Sequence, residues 1–195
     1  MRRVLIWSAV GALGVVSGLV YVAGGGISAV HGSPRPFEAR VAKAGWRFLV
    51  PRQTRDAANP VLATPSVLKE AREHWADHCA VCHDNNGSGD TTIGRRVYPR
   101  APDLRAARTQ QLTDGELFYA IEQGIPWTAM PGWTNGTAEG ERASWALVRF
   151  IRHLPALTAD ELNEMERLNP RPPVNQEDEK AIEDFLKGPA TKGPR

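Results

Sequence analysis

Apolar and polar positions change rhythm several times along this chain, and each change marks a segment. Val4 to Val30 hold no charged residue. About 20 apolar residues suffice to cross the hydrocarbon core of a bilayer as a helix, so this stretch predicts a membrane anchor or an export signal. A cleaved signal has an apolar core of about 7–15 residues that ends in a small-x-small site. This stretch is longer, and Tyr21-Val22-Ala23 lacks that shape, which favours a retained anchor over a cleaved signal. Either one exports the rest of the chain. Counting only Lys and Arg near the ends, Arg35, Arg40, Lys43 and Arg47 outweigh Arg2 and Arg3 and would predict the opposite orientation. The signal-like start decides against that count. Gly14 and Gly18 form GxxxG, which reads either as a helix-pairing face or as chance in a glycine-rich span.

Past the "HGSPRP" break, Phe37, Val41, Ala44 and Phe48 recur at helical spacing with Arg40, Lys43 and Arg47 between them. The pattern predicts a short basic amphipathic helix. It could lie on anionic headgroups or strap onto the domain that follows. "VPRQTRDAANPVLATP" carries three prolines and reads as extended chain. Helical periodicity resumes at "SVLKEAREHWADHCAVCH", with Leu68, Ala71, Trp75 and Cys79 in step and Ser66 or Thr64 as N-cap. A loop rich in Gly, Asn, Asp and Pro runs on to "APDL". The next helix, "LTDGELFYAIEQG", has a capping box in Thr113 and Glu116 and a stop in Gly124. After the irregular "IPWTAMPGWTNG", a helix is predicted from Ala138 to Leu154. A shorter one, "LTADELNEMERL", has its own capping box in Thr158 and Glu161. The end is proline-rich, with room for one amphipathic helix at Ala181 to Leu186. No stretch alternates as a strand does, and no internal repeat is present. The division is therefore an anchor over 1–30, a linker over 31–65, an all-α domain over 66–157 and an acidic, Pro-rich extension over 158–195.

Charge narrows the function classes. The net charge of +2 gives no basis for bulk nucleic-acid binding. Its distribution is uneven. Residues 31–108 hold 13 Lys/Arg against 8 Asp/Glu, and residues 158–187 hold 4 against 9. Arg95, Arg96 and Arg100 could steer an acidic partner, whose association would weaken with salt, or could pair with bound acidic groups or the acidic tail. "DELNEMERL" could clasp the domain or dock a partner.

The chemistry concentrates at "CAVCH", Cys79 to His83, which contains the only two cysteines. A structural zinc site needs four ligands, commonly two Cys-x-x-Cys-like pairs or one such pair with a distant His pair, and the other histidines, His31, His74, His78 and His153, show no ligand spacing downstream of the motif. A thiol redox couple belongs in a βαβ context, and these flanks are helical. Cys-x-x-Cys-His with no further cysteine is the spacing of c-type haem attachment. Two thiols reach the two vinyl groups on one side of the porphyrin, and the adjacent imidazole falls under the iron. The motif therefore predicts one covalent haem c on Cys79 and Cys82, with His83 as a metal ligand.

A second metal ligand is predicted at Met130, 47 residues on, in a Pro/Gly-bounded loop. Its thioether is a soft donor, and His/Met ligation raises the reduction potential. Pro131 stiffens the loop. His78 and His74 lie too close to the attachment site on its own helix. His153 reads as a surface residue and Met165 as a packing residue.

Taken together, "CAVCH", "APDL", "LTDGELFYAIEQG", "MPGW" and a terminal aromatic helix resemble a class I cytochrome c over residues 66–157. The resemblance implies an all-α cytochrome c fold around the haem and one-electron transfer rather than enzymatic turnover. It also implies a Pro102 carbonyl that orients His83, and Leu104 packed on the haem. Trp133 and Trp145 would line or brace the pocket, or serve in the core. An anchor and about 38 residues after Leu157 depart from the small soluble members. They leave room for a redox partner protein or a larger membrane oxidoreductase that the chain joins as the subunit through which electrons enter. A gas sensor or peroxidase-like enzyme would need an open iron position.

Overall fold

The computed structural model describes residues 2–23, 36–170, 180 and 185, and all regular structure among them is helical. The predicted helix at 181–186 falls almost wholly outside these residues. Helix α1 spans Arg2–Ala23 and α2 spans Pro36–Leu49. Short helices follow at Arg52–Arg55 (α3), Pro65–His78 (α4), Ala80–His83 (α5), Thr92–Arg96 (α6) and Ala107–Gln110 (α7). Asp114–Gln123 (α8), Ala138–His153 (α9), a 3₁₀ turn at Leu154–Ala156 and Ala159–Leu168 (α10) complete the order.

The caps set these boundaries. Thr64 accepts from the Val67 amide at 3.3 Å, and Pro65 takes the first helical position, where a missing N–H costs nothing. Both predicted capping boxes are present, at Thr113/Glu116 and at Thr158/Glu161. Short helices α3 and α6 run through segments predicted to be extended or looped, and α7 falls where no element was predicted. In α6 the reason is another cap, Thr91, which accepts from the Gly94 amide at 2.8 Å. In α3 and α7 a single turn of four residues is held by what surrounds it, with no side-chain cap.

The core lies where α9 packs on α4 and α8, with α3 against α8 and α10 against α4. Trp75, Phe150 and Leu154 are essentially solvent-free at its centre, and burying each contributes roughly 1.5–3 kcal/mol. The Trp75 and Phe150 rings meet edge-on at 5.5 Å, and Phe118 stacks on Trp145 at 4.1 Å. Val61 and Met165 join the same core from either side of the 66–157 segment.

The tail helix clasps the domain. Met165 is fully buried, and Arg72, itself 7% exposed, pairs with Glu161 at 2.9 Å and Glu164 at 2.5 Å. Asn85 donates to the Asn169 carbonyl at 3.1 Å. His153 is not the surface residue its position suggested: its Nε2 sits 2.9 Å from Glu161, and the ring is half-buried. Burial alone would raise the Glu161 carboxyl. Hydrogen bonds from the Thr158 amide, His153 and the Thr158 hydroxyl outweigh it and hold the group at about 2.

Helix α2 touches the domain along one side. Trp46 packs on Tyr119 at 5.6 Å, and Tyr98 donates to Glu38. Its apolar stripe stays in solvent, with Phe37 64% and Phe48 88% exposed. The α1 side chains at 6–21 are exposed too. Among the described residues no helix is long and apolar enough to cross a membrane.

Candidate functional site

Helix α4 ends at Cys79, and the chain turns directly into α5. The His83 amide donates to the Cys79 carbonyl at 2.9 Å, and the Cys82 amide to the same carbonyl at 3.2 Å. One helical turn therefore carries both thiols and the imidazole. The two cysteines are unbridged and half-buried. Burial, with Cys82 beside it, pushes the Cys79 thiol up to about 12, and burial also raises Cys82. Reactive redox thiols have depressed values, so this pair has the wrong electrostatics for a dithiol couple. Among the described residues no three His, Cys, Asp or Glu side chains come together as a metal cluster, so none of them completes a four-ligand structural zinc site around the two thiols.

Burial pushes His83 down to about 4, which leaves a neutral ring at pH 7 with a lone pair for a metal. Its Nδ1 is buried and has no hydrogen-bond partner. The ring lies 5.8 Å from Trp75, whose Nε1 donates to the Asp84 carbonyl at 3.0 Å. Trp75 thus fixes the segment just past the motif from inside the core. The Pro102 carbonyl does not accept from His83. Together with Ala101 it crowds the place where Gly89 would carry a Cβ, and the Gly89 amide donates to the His83 carbonyl at 2.9 Å. Leu104 is buried in the core, and its amide donates to the Gly87 carbonyl at 2.8 Å.

A brace behind the motif escaped the sequence reading. The Thr91 hydroxyl donates to the Val81 carbonyl at 2.8 Å while it caps α6. A Cβ on Gly94 would stand 2.3 Å from the Cys82 carbonyl oxygen. Helix α6 can approach the motif this closely only because Gly94 has no side chain. Gly94→Ala is expected to cost about 1–3 kcal/mol through this overlap, read as a lower thermal midpoint with a lower yield of haem-loaded protein. An unchanged midpoint would show that the two segments separate freely. The signal available in sequence was the Thr-x-x-Gly cap, which does not reveal what the glycine faces.

Met130 is half-buried in the loop between α8 and α9. The loop folds back on the end of α8. The Ile125 amide donates to the Met130 carbonyl at 3.1 Å, and the Trp133 amide donates to the Ile121 carbonyl at 2.9 Å. Gly124, at φ +70°, makes that reversal, and a Cβ there would meet the Met130 oxygen at 2.7 Å. Trp133 is 40% exposed, with its ring 5.3 Å from His78. Trp145 serves in the core. Arg95 pairs with Asp90 at 2.9 Å, and Arg96 donates to the Thr92 carbonyl at 3.4 Å. On α10, Glu161 pairs with Arg72 and His153 and Glu164 with Arg72 instead.

Residues 66–151 match the family described as cytochrome c oxidase, cbb3-type, subunit III. The segment is a class I c-type cytochrome domain. Such a domain transfers electrons through haem. No match is found among curated proteins. The residues fit that cofactor. Two protonated thiols without partners stand on one turn with a neutral imidazole whose Nδ1 is buried and unsatisfied, a polar cost that folds tolerate rarely.

Proposed function

We propose that this cytochrome domain is an exported, membrane-anchored, mono-haem electron carrier. The observation that carries the reading is the single turn Cys79–His83, with its paired thiols, neutral imidazole and orphaned Nδ1. In this reading Cys79 and Cys82 hold one haem c as thioethers, and His83 and Met130 are the metal ligands. Pro102 offers its carbonyl to His83 once the ring is held, a bond that fixes ring orientation and raises ligand basicity. Leu104 and Trp133 exclude water from the cofactor. The bound haem supplies one-electron chemistry between ferrous and ferric iron. The thioether donor, burial and hydrogen bonding around the site set its potential.

The anchor rests on the uncharged run Val4 to Val30 and on the exposed apolar side chains of α1. Helix α2, with Phe37, Val41 and Phe48 outward and Arg40 and Lys43 beside them, would lie against anionic headgroups while Trp46 ties it to the domain. The haem domain would then face the periplasm or other non-cytoplasmic side and meet a redox partner protein there. A second reading makes the chain a subunit through which electrons enter a larger membrane oxidoreductase. It is favoured by the oxidase-subunit description of the matched family.

Carbon monoxide added to the dithionite-reduced protein tests the carrier reading. The visible haem spectrum is expected to stay unchanged, because both axial positions are filled. A prompt spectral change would mean an open or weakly held position and would shift the assignment to a gas sensor or peroxidase-like enzyme.

A further inference from the structure

Helix α4 carries a pair of nitrogen donors that the proposed haem site does not use. His74 and His78 are four residues apart, a spacing that stacks side chains on one helix face. Their ring centroids are 5.1 Å apart. Neither imidazole hydrogen-bonds to another described residue, and His78 is exposed with His74 half-buried. Both line a pocket of about 250 Å³ together with Trp133, Asn135 and the α9 residues Gly140, Ser144 and Leu147. The Asn135 carboxamide oxygen is already taken, by the Thr137 amide at 3.0 Å and hydroxyl at 2.8 Å. The pocket therefore presents two free imidazoles and no competing acceptor from that side chain.

We propose that His74 and His78 chelate a divalent transition cation of borderline softness, such as Zn²⁺. Imidazole suits such ions, and two histidines at i, i+4 on one helix face are a recurrent zinc-binding arrangement. The helix under them is rigid: Ala71, Trp75 and Ala76 bury its opposite side in the core. Little ordering is left to lose on binding, which favours chelation. Among the described residues no third His, Cys, Asp or Glu closes the shell. The remaining positions go to water or to a donor from another molecule, which makes this an open site rather than a structural one. It lies one residue before Cys79 and borders the proposed haem site through Trp133, but its two donors, His74 and His78, are not among that site's residues.

The test is calorimetric titration of the full-length, haem-loaded protein with Zn²⁺ near neutral pH, after removal of adventitious metal and after thiol titration to confirm that Cys79 and Cys82 are blocked. Free thiols at that step would count against the haem reading, not against this site. Wild type is expected to take up one equivalent. His74→Gln and His78→Gln should each weaken uptake about tenfold or more, about 1.4 kcal/mol per factor of ten, and the double variant should lose it. His153→Gln, on α9, should leave it unchanged. No uptake, or uptake indifferent to the double variant, overturns the proposal. Should a variant fold poorly by circular dichroism, the wild type still decides: Zn²⁺ must protect both imidazoles from acylation by diethyl pyrocarbonate, read by mass spectrometry, and unprotected imidazoles overturn the proposal.

Discussion

Changing Cys79 and Cys82 together to serine is expected to abolish covalent haem. Wild-type protein should keep its haem stain on a denaturing gel and hold its pigment through acidified organic solvent. The double variant should show no stain and release whatever it binds. The expectation follows from the chemistry of the turn. Each thiol is half-buried, unbridged and raised by burial, Cys79 to about 12, so neither is disposed to act as a thiolate. What the pair offers is two sulfurs on one helical turn. Serine retains the shape and hydrogen-bonding capacity but cannot form a thioether. The backbone bonds from the Cys82 and His83 amides to the Cys79 carbonyl remain available, so the loss should be of attachment before fold. Each single variant should keep one bond and a weaker stain. Persistent stain in the double variant, or pigment that solvent extracts from wild type, would sink the attachment assignment.

Met130→Ala is expected to lower the reduction potential on the order of 0.1 V, a fraction of the ~0.8 V range that axial ligands govern, and to make the reduced protein react with carbon monoxide. Thioether ligation favours ferrous iron, so its removal shifts the balance toward ferric. The change should stay local. The loop is pinned by its own backbone, through Ile125 to Met130 and Trp133 to Ile121, and by the Thr128 hydroxyl, which accepts from the Met130 amide at 3.1 Å. Helical circular dichroism should therefore be preserved. Redox potentiometry of the two proteins side by side gives the answer. An unchanged potential together with continued inertness to carbon monoxide would remove Met130 from the iron.

Legibility in the sequence follows the range of the interaction. Thr113/Glu116 and Thr158/Glu161 could be read because a capping box closes within four residues. The apolar rhythm of α4, α8 and α9 could be read because one helix face repeats within a few turns. The "CAVCH" spacing could be read because both sulfurs and the imidazole act within one turn. Short helices such as α3 escaped because one turn has no periodicity to detect and is held by its neighbours, here by the approach of α8 at Gly115 to the Thr54 carbonyl. His153 was misjudged because its partner Glu161 lies on the next helix, past a turn the sequence does not orient.

The sequence alone thus determined the helical class, the order of the long elements and the chemistry of the Cys79–His83 turn, since each depends on residues within a few positions of one another. Only the tertiary structure decided what stands behind that turn. Gly94 lies against the Cys82 carbonyl, Trp75 bonds the Asp84 carbonyl, and Arg72 holds α10 through Glu161 and Glu164 while Met165 fills the core. These contacts join residues from 9 to 92 positions apart. Closing such loops costs entropy that only simultaneous packing of the whole core offsets, so no local pattern announces them.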